Sequence, residues 1–253
     1  MSSVPVPPRR TVSDSPPTNY NLQAMDESRI AKLLAPFLVD VEQHVIVLSP
    51  AQLGHISMYI DILMRWNART NLTAVRTPDE VVTRHFGESL FTAHHLFPGA
   101  DTTTSSSYRS SQAPTTPQVI DVGSGAGFPG LPIKILAPQI HLTLIESNQK
   151  KATFLREVVR GLAMSDVEVF ASRADAFPEA RGDVVTIRAV ERLAAILPIA
   201  AKLLRPAGRM AILVGAAQVK MVFELLPALK WSEAVPLPLS EHRFMILGRN
   251  EPG

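Results

Sequence analysis

The chain has 253 residues, with 25 Lys plus Arg against 23 Asp plus Glu for a formal charge of +2, and 46% of its residues are hydrophobic, an ordinary globular profile. It contains no cysteine, which excludes disulfides, thiolate nucleophiles, iron–sulfur clusters and Cys-ligated zinc. No run approaches the ~20 apolar residues of a bilayer-spanning helix, prolines interrupt the opening segment, and the seven His fall at no recurring ligand spacing, so no membrane span, secretory signal or metal centre is expected.

In chain order, residues 1–20 are rich in Pro, Ser and Thr and read as a disordered tail, while GADTTTSSSYRSSQAPTTP over 99–117 reads as a flexible polar insertion with little to bury. Between them, 21–98 form an amino-terminal helical region with three patterns. The first runs from Leu22 to Val39 and breaks near Pro36. The second opens with Ser49-Pro50-Ala51-Gln52, a capping box with Pro at the first helical position, and repeats Tyr59, Ile62, Leu63 and Trp66 along one face. The third opens in the same way with Thr77-Pro78-Asp79-Glu80 and continues through Val82, Phe86, Leu90, Ala93 and Phe97.

From residue 118 short apolar runs alternate with helical stretches: QVIDVG, a helix from about Pro129, HLTLIE, a helix from about Asn148, VEVFA, DVVTI, a helix from about Glu191, RMAILV, a helix from about Ala216 and RFMILG. This alternation predicts an α/β fold with a mostly parallel twisted sheet covered on both faces. The last two runs, around Trp231 to Leu237 and Arg243 to Leu247, have Pro236, Pro238 and Ser240 between them in place of a helix and predict an antiparallel edge hairpin.

The first strand runs into Asp121-Val122-Gly123-Ser124-Gly125-Ala126-Gly127-Phe128-Pro129-Gly130. Glycines there permit positive φ and the close approach of a ligand, which points to a nucleotide-like cofactor. Gly125, Gly127 and Gly130 match the dinucleotide pattern G-x-G-x-x-G, and Glu146 ends the second strand where a carboxylate accepts from ribose hydroxyls. Nicotinamide dinucleotide and S-adenosylmethionine therefore compete. The latter is favoured by Asp121, whose carboxylate suits a cationic amino group and sulfonium and repels a pyrophosphate, by the extra Gly123, and by the hairpin at the end of the chain.

In open α/β sheets ligands sit beyond the carboxyl ends of the strands. That rule selects Glu146, then Arg173, Ala174 and Asp175 after the third strand, then Arg188 after the fourth. Arg65, Arg69, Arg76 and Arg84, with Trp66 and Asn67 between them, suggest contact with an unpaired strand, although Trp66 falls on the apolar stripe. Lys150, Arg156 and Arg160 read as a solvated helix face.

The segments WNARTNLTAV (66–75), RHFGESL (84–90), IDVGSGAGFPGLPIKI (120–135), LTLIESNQKKATFLREV (142–158), VEVFASRADAF (167–177) and VVTIRAVERL (184–193) resemble the bacterial 16S rRNA guanine-N7 methyltransferases, the glucose-inhibited division protein B family, over roughly 50–250. The resemblance implies a class I methyltransferase-like Rossmann fold over 118–253 that binds S-adenosylmethionine. It also implies methyl transfer to the N7 of a guanine in the decoding region of 16S rRNA by a cytoplasmic monomer working on 16S rRNA or the small ribosomal subunit. Carried over by motif, Gly123, Phe128, Glu146, Ala174, Asp175 and Arg188 hold the cofactor, to which the reading of the turn adds Asp121, Gly125 and Gly127, and Arg173 and Arg188 act at the target base. Three positions depart from the pattern: Ile187 stands where Ser is common, Glu146 where Asp is usual, and Val214-Gly215 where a Lys-Gly pair is usual. Two other readings remain, a small-molecule methyltransferase on this scaffold and a non-catalytic RNA-binding or assembly factor.

Overall fold

The computed structural model describes residues 25–39, 45–99 and 116–251. The expected tail over 1–20 lies outside them, as does the expected insertion over 99–117 apart from its end residues. The amino-terminal region is helical, with α1 (Glu27–Leu34), α2 (Pro50–Thr70), α3 (Pro78–Glu80), a π-helical segment (Val81–Gly87) and α4 (Glu88–Leu96). Both halves of the expected capping box form: Gln52 N–H donates to Ser49 Oγ at 3.3 Å and Ser49 N–H donates to the Gln52 side chain at 2.8 Å. Tyr59, Ile62 and Leu63 are buried, and Trp66 packs half-buried on the same face.

The third helix differs from its expectation in carrying the π-helical stretch. Val82, Phe86 and Leu90 recur strictly every four residues, which overshoots the 3.6-residue period; the wider turn keeps all three buried. Such wide turns occur frequently at functional sites.

The parallel part of the sheet holds β1 (Gln118–Val122), β2 (His141–Ile145), β3 (Val167–Phe170), β4 (Gly182–Arg188) and β5 (Leu204–Gly215), in the order β3-β2-β1-β4-β5. It is crossed by α5 (Gly130–Leu136), α6 (Gln149–Gly161), α7 (Leu193–Lys202) and α8 (Ala216–Leu225). The parallel direction of β1 to β5 is the one expected. The final strands are β6 (Leu229–Trp231), β7 (Val235–Pro236) and β8 (Arg243–Asn250). The expected antiparallel edge hairpin forms: β8 lies antiparallel to β5, with β6 and β7 paired antiparallel to β8. Met245 and Ile246 at the centre of β8 are fully buried, and burial on both faces suits an interior strand better than an edge.

Two apolar layers flank the sheet. On one side Tyr59, Phe86, Leu131, Leu144 and Phe154 belong to one core, so the amino-terminal helices and the sheet share it. On the other, Ile187, Leu197, Ile212 and Val222 pack under α7 and α8. Residue alternation along β4 therefore sends Ile187 to the second layer and Arg188 to the first.

Candidate active site

At the carboxyl edge of β1, β2 and β3 a cleft of about 250 Å³ opens, lined by Gly123, Glu146, Arg173, Ala174 and Asp175 and walled by Val190, Ile196 and Ile199. Gly123 has φ +70°, and a Cβ there would stand 3.0 Å from Val190 Cγ2, closing the cleft's floor. Glu146 is buried, with one carboxylate oxygen accepting from Gly125 N–H at 2.9 Å and the other from Asn148 N–H at 2.7 Å. Each oxygen keeps a second lone pair, so the pinned carboxylate still has capacity for hydroxyl donors. Arg173, 73% exposed, pairs with Asp175 at 2.8 Å. This hydrogen bond draws the Asp175 carboxyl below its ordinary range and raises the Arg173 guanidinium.

The glycine turn spends its N–H groups internally. Gly123 and Ser124 donate to Ile145 O, Gly127 and Phe128 to Ser124 O, Gly125 to Glu146 and Gly130 to Asp121. Asp121 is 0% exposed and does not line the cleft: Oδ2 accepts from Gly130 N–H at 3.2 Å, at the start of α5, and Oδ1 accepts from the Thr186 hydroxyl at 2.8 Å. Burial pushes this carboxyl up to about 6, while the hydrogen bonds from Thr186, Ser124 and Gly130 pull it down. Where a dinucleotide site would bring its pyrophosphate to a helix start, a protein carboxylate already stands. Its bonds to Gly130 and Thr186 shape the turn from below.

Gly127 shows how the helical region enters the site. It has φ +85°, and a Cβ would fall 2.3 Å from the Tyr59 hydroxyl and 2.5 Å from Leu131 Cδ1. Tyr59 donates a short hydrogen bond to Ala126 O. Its ring stacks on Phe128 with centroids 5.3 Å apart, and His85 stacks against Phe128 at 4.7 Å. Gly125, Gly127 and Phe128 therefore form the back of the turn, outside the cleft lining.

Arg188 belongs to this second cluster, also outside the cleft lining. Its side chain is 10% exposed and sits over Phe128, 5.9 Å from the ring centroid. Nη2 donates to Arg84 O at 2.5 Å, His85 Nδ1 at 3.0 Å and Glu88 Oε2 at 3.0 Å. A guanidinium can only donate, so His85 Nδ1 is the acceptor and its Nε2–H points to Thr73 Oγ1, 2.8 Å away. Burial, helped by the Arg188 and Arg84 charges, holds His85 down at about 2, a neutral imidazole. Burial also lowers the Arg188 pKa, which Glu88 opposes.

Sequence reasoning brought Gly123, Glu146, Arg173, Ala174 and Asp175 to one cleft and placed Asp121, Gly125, Gly127, Phe128 and Arg188 with them, where the structure sets these five behind it. Asn67, expected to face an RNA strand, is buried: its amide donates to Val75 O and its carbonyl accepts from Thr73 N–H, pinning the loop that carries Thr73. Arg65, Arg69, Arg76 and Arg84 are exposed, as that reading requires. Reasoning from sequence missed Tyr59, His85, Glu88 and Val190 as site residues. His85 and Glu88 lie inside the RHFGESL segment, which was the available signal.

The family model described as rRNA small subunit methyltransferase G matches residues 52–237. The chain is 42% identical over 151 residues to the ribosomal RNA small subunit methyltransferase G of Xanthomonas axonopodis pv. citri, covering 59% of this chain and 63% of that protein. It is 38% identical over 180 residues to the protein of the same name from Stenotrophomonas maltophilia, covering 71% and 76%. The chain thus spans less than two thirds of the length of the first of these relatives. A crystal structure of a SAM-dependent methyltransferase from Aquifex aeolicus aligns at 18% identity with a TM-score of 0.46, over 53% of this chain and 81% of that one. Among the described residues no helix is long and apolar enough to cross a membrane.

Proposed function

The chain belongs to the rRNA small subunit methyltransferase G family, and on that premise we propose that it transfers a methyl group from S-adenosylmethionine to the N7 of a guanine in the decoding region of 16S rRNA. The observation that carries the choice of cofactor is the occupied glycine turn: six of its N–H groups donate to protein acceptors, two of these to the carboxylates of Glu146 and Asp121. Such a turn offers a diphosphate little and repels it. S-adenosylmethionine brings hydroxyl groups, a flat adenine and a positive sulfonium, and the cleft supplies a pinned carboxylate at Glu146 and an apolar wall at Val190, Ile196 and Ile199. In this reading Glu146 accepts from the ribose, Ala174 and Asp175 edge the adenine, and Gly123 leaves room for the methionine portion. When bound, the cofactor supplies an electrophilic methyl group.

The N7 of guanine presents an in-plane lone pair and carries no proton, so the reaction needs no general base and no covalent adduct, in keeping with a chain that has no cysteine. The chain's residues then act by positioning, a source of as much as ~7–11 kcal/mol. Arg188, immobilised by three acceptors, presents remaining N–H donors to the O6 side of guanine, and exposed Arg173 meets the RNA at the cleft mouth. An rRNA substrate places this work in the cytoplasm, and no partner subunit enters the reading. The test incubates the protein with labelled S-adenosylmethionine and unmethylated naked 16S rRNA or small subunits, with small metabolites in parallel, and maps the label. The expected result is a single N7-methylated guanine and a fall of roughly 100-fold or more in kcat for Arg188→Ala with cofactor binding changed much less. Label on metabolites alone, or none at all, refutes the proposal.

A further inference from the structure

Glu88 does more than hold Arg188. The carboxylate is 2% exposed; Oε2 meets Arg188 at 3.0 Å and Oε1 lies 2.5 Å from Nη1 of Arg243, whose side chain is 30% exposed. Arg243 comes from the start of β8, opposite Gly215 in the antiparallel register, and its Nε donates to Ser240 Oγ at 3.2 Å. Arg188 and Leu213 pair across β4 and β5, and Leu213 pairs with Met245, which puts Arg188 and Arg243 on the same face of the sheet. Exposed Arg84 precedes neutral His85 on the wide helical turn and is close enough for its charge to act on Arg188. Two guanidinium groups thus meet on one carboxylate, with His85 contributing no charge.

Two arginines held on either side of a single carboxylate in a dehydrated edge repel each other, and the excess positive charge calls for an anion. A forked pair of guanidinium groups matches the two free oxygens of a phosphate. We propose that Glu88 clamps Arg188 and Arg243 into a fork for a phosphodiester of the RNA strand adjacent to the target guanine, so that Arg243 is a substrate-binding residue and Glu88 a positioning residue. The proposal rests on the rRNA reading above and adds to it the place where the strand's backbone is gripped. The fork sits where β4 ends and β8 begins, on the same edge of the sheet as the carboxyl ends of β1 to β3.

The test measures filter binding of naked 16S rRNA between about 50 and 200 mM salt, together with kcat and KM for methyl transfer, for the wild-type chain, Arg243→Ala, Arg243→Gln, Arg243→Lys and the exposed control Lys220→Ala. Loss of one phosphate contact on a single strand lowers the slope of log affinity against log salt by about 0.7. Arg243→Ala and Arg243→Gln are expected to show that loss and a KM raised roughly three- to tenfold with kcat little changed, Arg243→Lys to recover part of the slope, and Lys220→Ala to match the wild type. S-adenosylmethionine binding, read by calorimetry, stays at the wild-type value in every variant and verifies their folding. A wild-type slope and KM in Arg243→Ala and Arg243→Gln overturn the fork, as does a wild-type chain that does not bind the RNA. If the wild-type chain binds RNA with the Arg243-dependent slope but transfers no methyl group, the fork stands and the methyltransferase reading falls.

Discussion

The two sides of the glycine turn are built on different physics. Facing the cleft, Arg173 and Asp175 meet in solvent at 73% and 45% exposure, where an ion pair contributes little, beside the buried carboxylate of Glu146. Behind the turn, Asp121, Glu88, His85 and Arg188 are buried or nearly so, and each is held by protein partners through the bonds described above. The contrast teaches that the ligand-facing side stays open to a cofactor that comes and goes, whereas the rear is fixed during folding. Removing a rear partner so that a buried charge is left alone should therefore destabilise the protein, and mutations in front should spare it.

The largest expected effect comes from Glu88→Ala, which leaves Arg188 in a dehydrated site without its counterion; removing one partner of a buried pair costs about 3–5 kcal/mol. Urea unfolding at neutral pH measures it, and a loss below about 1 kcal/mol would erase the contrast between rear and front. Next comes Gly127→Val, which combines a backbone conformation strained for a side chain with overlap against Tyr59 and Leu131; about 2–4 kcal/mol of destabilisation is expected, read as a lowered midpoint of thermal unfolding.

The pH response separates two rear groups by sign. His85 titrates at about 2 in the fold against 6.5 ordinarily, so below 6.5 the unfolded chain takes up a proton that the folded one refuses, and stability falls with pH. Asp121 titrates at about 6 against 3.8, so between about 6 and 3.8 the folded chain holds the proton and stability rises as pH falls. The two slopes oppose each other from pH 6 down to about 4. Asp121→Asn removes the compensating slope and is expected to lose about 1 kcal/mol more than wild type per pH unit between pH 6 and pH 5, as measured by denaturant unfolding; parallel curves would contradict the raised pKa of Asp121. The smallest effect belongs to Arg173→Ala, with a thermal midpoint indistinguishable from wild type and weakened methyl transfer as its only consequence.

The same contrast explains what could be read from sequence. Front residues follow from local rules: Gly123 from the turn, Glu146 and Asp175 from the ends of their strands, each decipherable within a few residues. The capped starts at Ser49 and Thr77 and the strand alternation were equally local. The rear depends on partners far apart in the chain, such as Arg188 with Glu88 at a separation of 100 residues and Tyr59 with Ala126 at 67. Nothing in a sequence says that the Asp121 carboxylate turns onto Gly130 N–H and the Thr186 hydroxyl. The edge hairpin was legible from the prolines between its strands, whereas which of those strands meets β5 was not, until Met245 and Ile246 are seen to be covered on both faces.

The central claim is that the occupied turn and the pinned Glu146 carboxylate select a cationic nucleoside over a diphosphate. Isothermal calorimetry of the full chain with S-adenosylmethionine and, separately, with oxidised and reduced nicotinamide dinucleotide tests it most directly. The account predicts saturable binding of S-adenosylmethionine, weakened by Glu146→Ala, and no heat from either dinucleotide; binding of a dinucleotide with no response to S-adenosylmethionine would contradict it.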